Sequence, residues 1–258
     1  MKPYLGRHVF GLAAILFGVV TLIWHDFNGW QQIQPLGNVP HREFLAYIVG
    51  AIEILGGLSV QWSKTARAGA IALGSIFSIF ALLWLPRIAA KPLVYDPWGN
   101  FFEQFSQVAG AVIVYATFDR INPKQSAKIA RVGYILFGIC VVSFMLEQLF
   151  YLSGTAEFVP KWIPPGQMFW AVTTTIAFAL AAIALLSGRS ALLASRLLTI
   201  MIVGFGLLVW LPTPFADPHL LSNWAGNAEN LSILGAAWIV ADFLAQHHPP
   251  SMLPAPAS

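Results

Sequence analysis

Apolar residues gather into eight stretches, at approximately residues 8–24, 44–61, 67–86, 101–118, 132–152, 168–187, 191–212 and 228–245. Each is long enough to cross a bilayer as a helix, which takes roughly 17–25 residues. Polar turns rich in Pro, Gly and Asn separate them. The third and seventh stretches end on Trp84-Leu85-Pro86 and Trp210-Leu211-Pro212, where proline stops a helix and tryptophan suits interfacial depth. The first follows Lys2 and Arg7 and so resembles the apolar part of a signal peptide. It runs into His25-Asp26-Phe27-Asn28-Gly29-Trp30, without a small-residue cleavage site, and is expected to be retained as a helix.

The stretches recur in order. Ile15-Leu16-Phe17-Gly18 returns as Ile135-Leu136-Phe137-Gly138, and Val39-Pro40 as Val159-Pro160, at an offset of 120. Beyond these the offset is 126: Trp84-Leu85-Pro86 returns as Trp210-Leu211-Pro212, Trp98 as Trp224, Glu103 as Glu229 and Ser106 as Ser232. Matched anchors in one order are the signature of tandem duplication. The expected organisation is a first four-helix unit over residues 1–120, a cytoplasmic linker over 121–130, a second unit over 131–245 and a disordered tail over 246–258. The fold class is then an all-α membrane protein of eight transmembrane helices in two parallel repeats.

Composition agrees with a lipid bilayer as the principal partner. Hydrophobic residues make up 57% and charged residues 10%, against roughly 25% charged in soluble domains. The net charge of +3 is spread over short loops and makes no nucleic-acid surface. Its distribution sets the topology. The N-terminus and the loops after the second, fourth and sixth helices hold Lys2, Arg7, Lys64, Arg67, Arg120, Lys124, Lys128, Arg131, Arg189 and Arg196; the other side holds Arg42, Arg87, Lys91 and Lys161. The positive-inside rule therefore places both termini in the cytoplasm. Four helices per unit require both units to insert the same way up, related by an axis along the membrane normal. The longer loops fall outside, carrying Trp30, Trp98, Trp162 and Trp224.

In the second unit, Val159-Pro160-Lys161-Trp162-Ile163-Pro164, Phe169-Trp170, Ser187-Gly188-Arg189, Trp210-Leu211-Pro212 and Trp224 together resemble a DoxX-like four-helix membrane protein. The first unit lacks the Trp-Ile-Pro loop and resembles it less. The resemblance implies a bacterial inner-membrane unit. A minority of that family is associated with quinone-linked sulfur oxidation or oxidative-stress complexes, and no catalytic motif carries over residue by residue.

Candidate chemistry rests on a few polar residues. Glu53 stands about ten residues into the second helix, and an ionisable group at such depth costs on the order of 2.5–3.5 kcal/mol. Ala46, Gly50 and Gly57 share its face, so a neighbouring backbone can approach closely. Both a functional carboxyl and a structural one hydrogen-bonded to a neighbour are open. Glu103 and Glu229 are expected at the outer starts of their helices. There a first-turn carboxylate complements the helix dipole by roughly 0.3–1 kcal/mol. A sharper alternative has Glu103 and Gln107 forming a polar stripe that faces Glu53. His25, Asp26, His41, Glu43 and Asp96 lack ligand spacing, so no metal is expected. Cys140 is the one cysteine and excludes dithiol chemistry. No cofactor is implied beyond a quinone through the resemblance.

Three function classes follow. The first is a non-catalytic membrane subunit that binds a small lipophilic molecule or a partner chain. The second is a membrane subunit of a quinone-linked oxidoreductase. The third is a proton-coupled transporter, ranked last because its mid-membrane acid has no match in the second unit, where Phe178 and Ala179 stand at that level.

Overall fold

The structure is a computed structural model and describes residues 4–27, 39–118 and 122–247. Trp30, the Pro35–Asn38 loop, residues 119–121 of the inter-unit segment and residues 248–258 of the tail lie outside the described residues. Each of the eight apolar stretches falls on a helix. The long helices are α1 (Leu5–Trp24), α2 (Arg42–Ser59), α3 (Ala66–Leu82), α5 (Asp96–Thr117), α6 (Pro123–Phe150), α8 (Gln167–Ser187), α9 (Ala191–Phe205) and α11 (Leu221–His247). Short helices α4 (Leu85–Ala90), α7 (Leu152–Phe158) and α10 (Thr213–Ala216) lie in the connections at one end.

Six segments are long and apolar enough to cross a membrane: α1, α3 with α4, α6, α8, α9 through α10, and α11. The chain is an all-helical multi-pass membrane protein on that basis. The other two long helices are the more polar ones. α2 carries Arg42, Glu43 and Glu53, and α5 carries Asp96, Glu103, Gln104 and Gln107.

Three helices begin earlier than hydropathy predicts. α5 starts at Asp96, with Pro97 in its first turn, and α6 starts at Pro123. Asn122 caps α6 by accepting from the Gln125 backbone N–H at 3.2 Å. The segment expected as a linker is therefore helical from Pro123 onward. Apolar windows miss these turns because their side chains are polar, while proline fixes the entry angle and an Asn cap satisfies a free N–H.

Neighbouring helices pack in a closed order, α1, α2, α3, α5, α6, α8, α9, α11 and back to α1, and α5 touches α11 across the middle. In lipid, helices gain little from apolar burial against each other, so close backbone approach matters more. The α1–α2 interface shows how it is obtained. A Cβ on Gly18 would lie 2.6 Å from the Gly50 carbonyl oxygen, and one on Gly57 would lie 2.5 Å from that of Gly11. The face expected to admit a neighbouring backbone does so, and the neighbour is α1.

The two ends differ in character. At one end the Gly6 N–H donates to Asp242 Oδ2 at 2.9 Å, joining the start of α1 to the last turns of α11. The Arg67 guanidinium donates to the Tyr115 hydroxyl at 2.6 Å at the same end. At the other, Arg42 pairs with Asp26, His25 Nδ1 lies 3.4 Å from Glu43, and Trp24 packs against Trp224. Trp84, between the end of α3 at Leu82 and the start of α4 at Leu85, is 1% exposed and so packs inside the protein.

Candidate functional site

The helix starts change the meaning of the shared acids. Glu103 lies seven residues into α5 and Glu229 eight into α11, about 10–12 Å from the first residue at 1.5 Å per residue. Neither is a first-turn carboxylate. The first-turn acid of α5 is Asp96. The dipole role expected of Glu103 and Glu229 is thus corrected: both project from the second and third turns, among neighbouring helices.

There they meet a third acid. Glu103, Glu147 of α6 and Glu229 line one cavity of about 160 Å³, together with Gln148, Asn230 and the side chains of Phe178, Phe205 and Trp210. A second cavity of about 420 Å³ adjoins it and shares Glu103, Gln148, Phe205 and Trp210. It continues past Phe158, Ile163 and Trp170 to Leu208 and Val209. Volumes of about 300–1,000 Å³ with apolar walls and a few convergent polar groups are typical of small-molecule sites.

Local backbone features make this space. The turn Gly206–Trp210 is π-helical, closed by the Leu211 N–H donating to the Gly206 carbonyl at 2.7 Å. Such turns widen a helix and recur at functional sites. This one lays the Trp210 indole on Gly226, where even a Cβ would lie 2.2 Å from the ring. The carbonyl of Trp210 accepts from Asn227 Nδ2 at 2.7 Å and from Thr213 Oγ1 at 2.8 Å. On the opposite wall the Glu147 carboxyl rests on Gly99, and a Cβ there would lie 2.1 Å from Oε2.

Hydrogen bonding in the cluster is incomplete. Glu229 is 6% exposed, and its Oε1 accepts from Gln104 Nε2 at 3.1 Å. Gln148 Oε1 accepts from the hydroxyls of Thr174 and Thr175, each at 3.1 Å. Gln104 Oε1 and Glu147 Oε2 are buried with no partner among the described residues. Glu103 lies within electrostatic range of Glu147, Asp96 and Glu229, and among the described residues no Lys, Arg or His lines either cavity. Buried polar atoms are normally paired; Glu147 Oε2 lies against Gly99, and of these polar residues Glu103, Glu147, Gln148 and Glu229 line the cavities.

Glu53 is elsewhere. It is fully buried in α2 at the glycine-lined contact with α1, and its Oε2 accepts from Thr21 Oγ1 at 3.4 Å. Oε1 has no partner among the described residues. Among the described residues no hydrogen bond links Glu103 or Gln107 to Glu53. Glu103 turns to the cavity, and the buried Gln107 amide hydrogen-bonds to no described residue. In the helix order α2 packs between α1 and α3, while α5 packs against α3, α6 and α11. Of the four residues singled out in the sequence, Glu103 and Glu229 come together, and Glu53 and Gln107 stand apart from them.

Sequence reasoning missed Glu147, Gln148, Asn230 and Trp210. Glu147-Gln148 sits inside an apolar run, and that adjacency of polar residues is the signal available for it. Comparison with protein-family models, curated proteins and solved structures finds no match to this chain.

Proposed function

We propose that this protein is a membrane-embedded binding protein, not a catalyst, and that it holds a small amphipathic molecule in the paired cavities between α5, α6, α8, α9 and α11. The observation that carries this reading is the adjoining of a polar cavity and a larger apolar one through four shared residues, Glu103, Gln148, Phe205 and Trp210. A molecule with a polar head and an apolar body matches that division. The redox alternative rests on the DoxX-like resemblance alone.

The wider frame belongs to the same proposal. We read the chain as two duplicated four-helix units of DoxX-like type with eight spans, set the same way up in a bacterial inner membrane with both termini inside. Three features support the duplication. The helix packing order is unchanged when the halves are exchanged. Gly110 and Ala236, related by the offset of 126, meet where α5 touches α11. Trp98 Nε1 donates to the Pro92 carbonyl at 3.2 Å, as Trp224 Nε1 does to that of Pro218 at 2.9 Å.

The test uses Gly204, which lines the larger cavity and has open space where a side chain would begin. Gly204→Phe fills that space and leaves every carboxyl in the sequence unchanged. Organic extracts of purified wild-type and variant protein, compared by mass spectrometry, should differ by a species enriched only with the wild type. Identical extracts would overturn the reading.

A further inference from the structure

We infer that the bound molecule is a long-chain lipid that enters sideways from the bilayer, with its head in the paired cavities and its chain in a groove between α8 and α9. This rests on the binding reading above and adds the class of ligand and its route. The groove has a volume of about 310 Å³. Ala181 and Leu198 at its floor are buried, while Leu180, Leu193 and Leu197 at its rim are each more than half exposed. It meets the larger cavity at Met201, which lines both. On α8 one face runs from Trp170 and Thr174 in the cavity to Ala177, Ala181 and Ala184 in the groove. Trp170 to Ala184 is about 21 Å at 1.5 Å per residue, about two-thirds of a hydrocarbon core roughly 30 Å thick.

Location and chemistry give the occupant. α8 and α9 lie in segments long and apolar enough to cross a membrane, and the α9 segment is the least enclosed of the six. Among the described residues no Asp, Glu, Lys or Arg lines the groove, and its polar residue, Ser190, stands at its far end before α9. Such a space open to a bilayer holds hydrocarbon. A chain running past Met201 arrives at Thr174, Gln148 and Glu103, so a molecule that fills both spaces carries a polar head. The matching seam of the first half shows that two adjacent spans need not leave such a groove. There α2 and α3 meet so closely that a Cβ on Gly69 would lie 2.7 Å from the Gly56 carbonyl oxygen. The residues 126 positions on are Ala182 and Ser195, and side chains at both places forbid so close an approach.

The probe is monopalmitoyl glycerol with a photoactivatable diazirine at the end of its chain. Its hydroxyls both donate and accept, so binding requires no particular charge on the carboxyls. Full-length protein in vesicles of phosphatidylethanolamine and phosphatidylglycerol is irradiated with the probe, and labelled residues are located by peptide mass spectrometry. Wild type should be labelled around Ala184, Leu193 and Ala194, and excess unlabelled monopalmitoyl glycerol should cut this labelling about fivefold or more by mass action. Ala194→Phe, or Ala184→Phe should the first fail to fold, fills the groove and should lose the competed labelling. Ile200→Phe, at an exposed position of α9 outside the groove, should keep it. Labelling that excess unlabelled lipid does not displace, and that falls equally on the exposed Ile71 and Ile79 of α3, would mean that bulk lipid alone covers the groove, and overturns the inference. Competed labelling that survives the groove-filling variants, that is confined to the cavity, or that is absent altogether overturns it too. The extract comparison with Gly204→Phe separates the two readings: extracts that differ while the groove stays unlabelled remove the chain placement alone, and identical extracts remove the binding reading itself.

Discussion

Residues 126 apart in the two halves of the molecule sit in different surroundings. At the offset of 126, Phe77, Phe80 and Trp84 of the first half correspond to Val203, Gly206 and Trp210 of the second. The first three are buried to 1% exposure or less and fill their four-helix interior. In the second half two phenyl rings are replaced by an isopropyl group and a hydrogen, the backbone widens into a π-helical turn, and the third ring lines a cavity. The acids follow the same division. Glu53 in the first half is enclosed at a tight helix contact, while Glu229 in the second borders open space. A close-packed half and a half with cavities share one helix order, and the carboxyl that hydropathy marks most strongly lines neither cavity.

The strongest way to break this comparison is to hollow the packed half. Phe80→Ala should cost about 3–5 kcal/mol, because a close-packed interior cannot collapse around a lost ring. Its counterpart Gly206→Ala should cost about 1 kcal/mol or less, since the atom it meets, Asn230 Nδ2 at 2.7 Å, ends a side chain that can swing away. Thermal unfolding of the two variants in the same detergent tests this. Similar losses would mean that the second half is packed as tightly as the first.

A smaller effect separates the two roles left open for Glu53. Thr21 is fully buried, and its hydroxyl donates to Glu53. Glu53→Ala leaves that hydroxyl unpaired and should destabilise at the low end of about 1–3 kcal/mol, because the bond is long at 3.4 Å. Glu53→Gln keeps an acceptor and should unfold within a few degrees of wild type. If Glu53→Gln abolishes ligand recovery while stability is unchanged, the first half is also a site and the contrast between the halves fails.

Much of this fold was legible in the sequence because apolar length is a property of the chain itself. The eight stretches each fall on a helix, and the Ala46, Gly50 and Gly57 face of α2 does meet a close backbone. The misplaced starts of α5, α6 and α11 have one cause: the added turns carry Asp96, Asn100, Lys124, Gln125 and Asn223, which hydropathy reads as loop. That error turned Glu103 and Glu229 into helix-end acids. Their convergence with Glu147 depends on which helices are neighbours, and Glu147 reaches them across Gly99 of a different helix. No spacing along the chain encodes that contact. Thr21 as the partner of Glu53 is hidden for the same reason, since it lies 32 residues away on α1.

The smallest expected effect sharpens the comparison most, because it has the opposite sign to the others. Glu103 contributes a carboxyl to a cavity that already holds Glu147 and Glu229, and its electrostatic neighbours Glu147 and Asp96 are both acids. Glu103→Gln fixes a neutral group among these acids and keeps the side-chain volume. The ligand-free variant should therefore melt at or slightly above the wild-type temperature, a shift of about 1 kcal/mol or less. Function and stability are then opposed at this residue, as expected where a site is kept strained for its ligand. Serial dialysis should remove bound material before the melts are compared, since a ligand held only by the wild type would raise its melting temperature by mass action. A clear drop on Glu103→Gln after such dialysis would make Glu103 a structural residue like Glu53, and the hollow half would lose the feature that sets it apart.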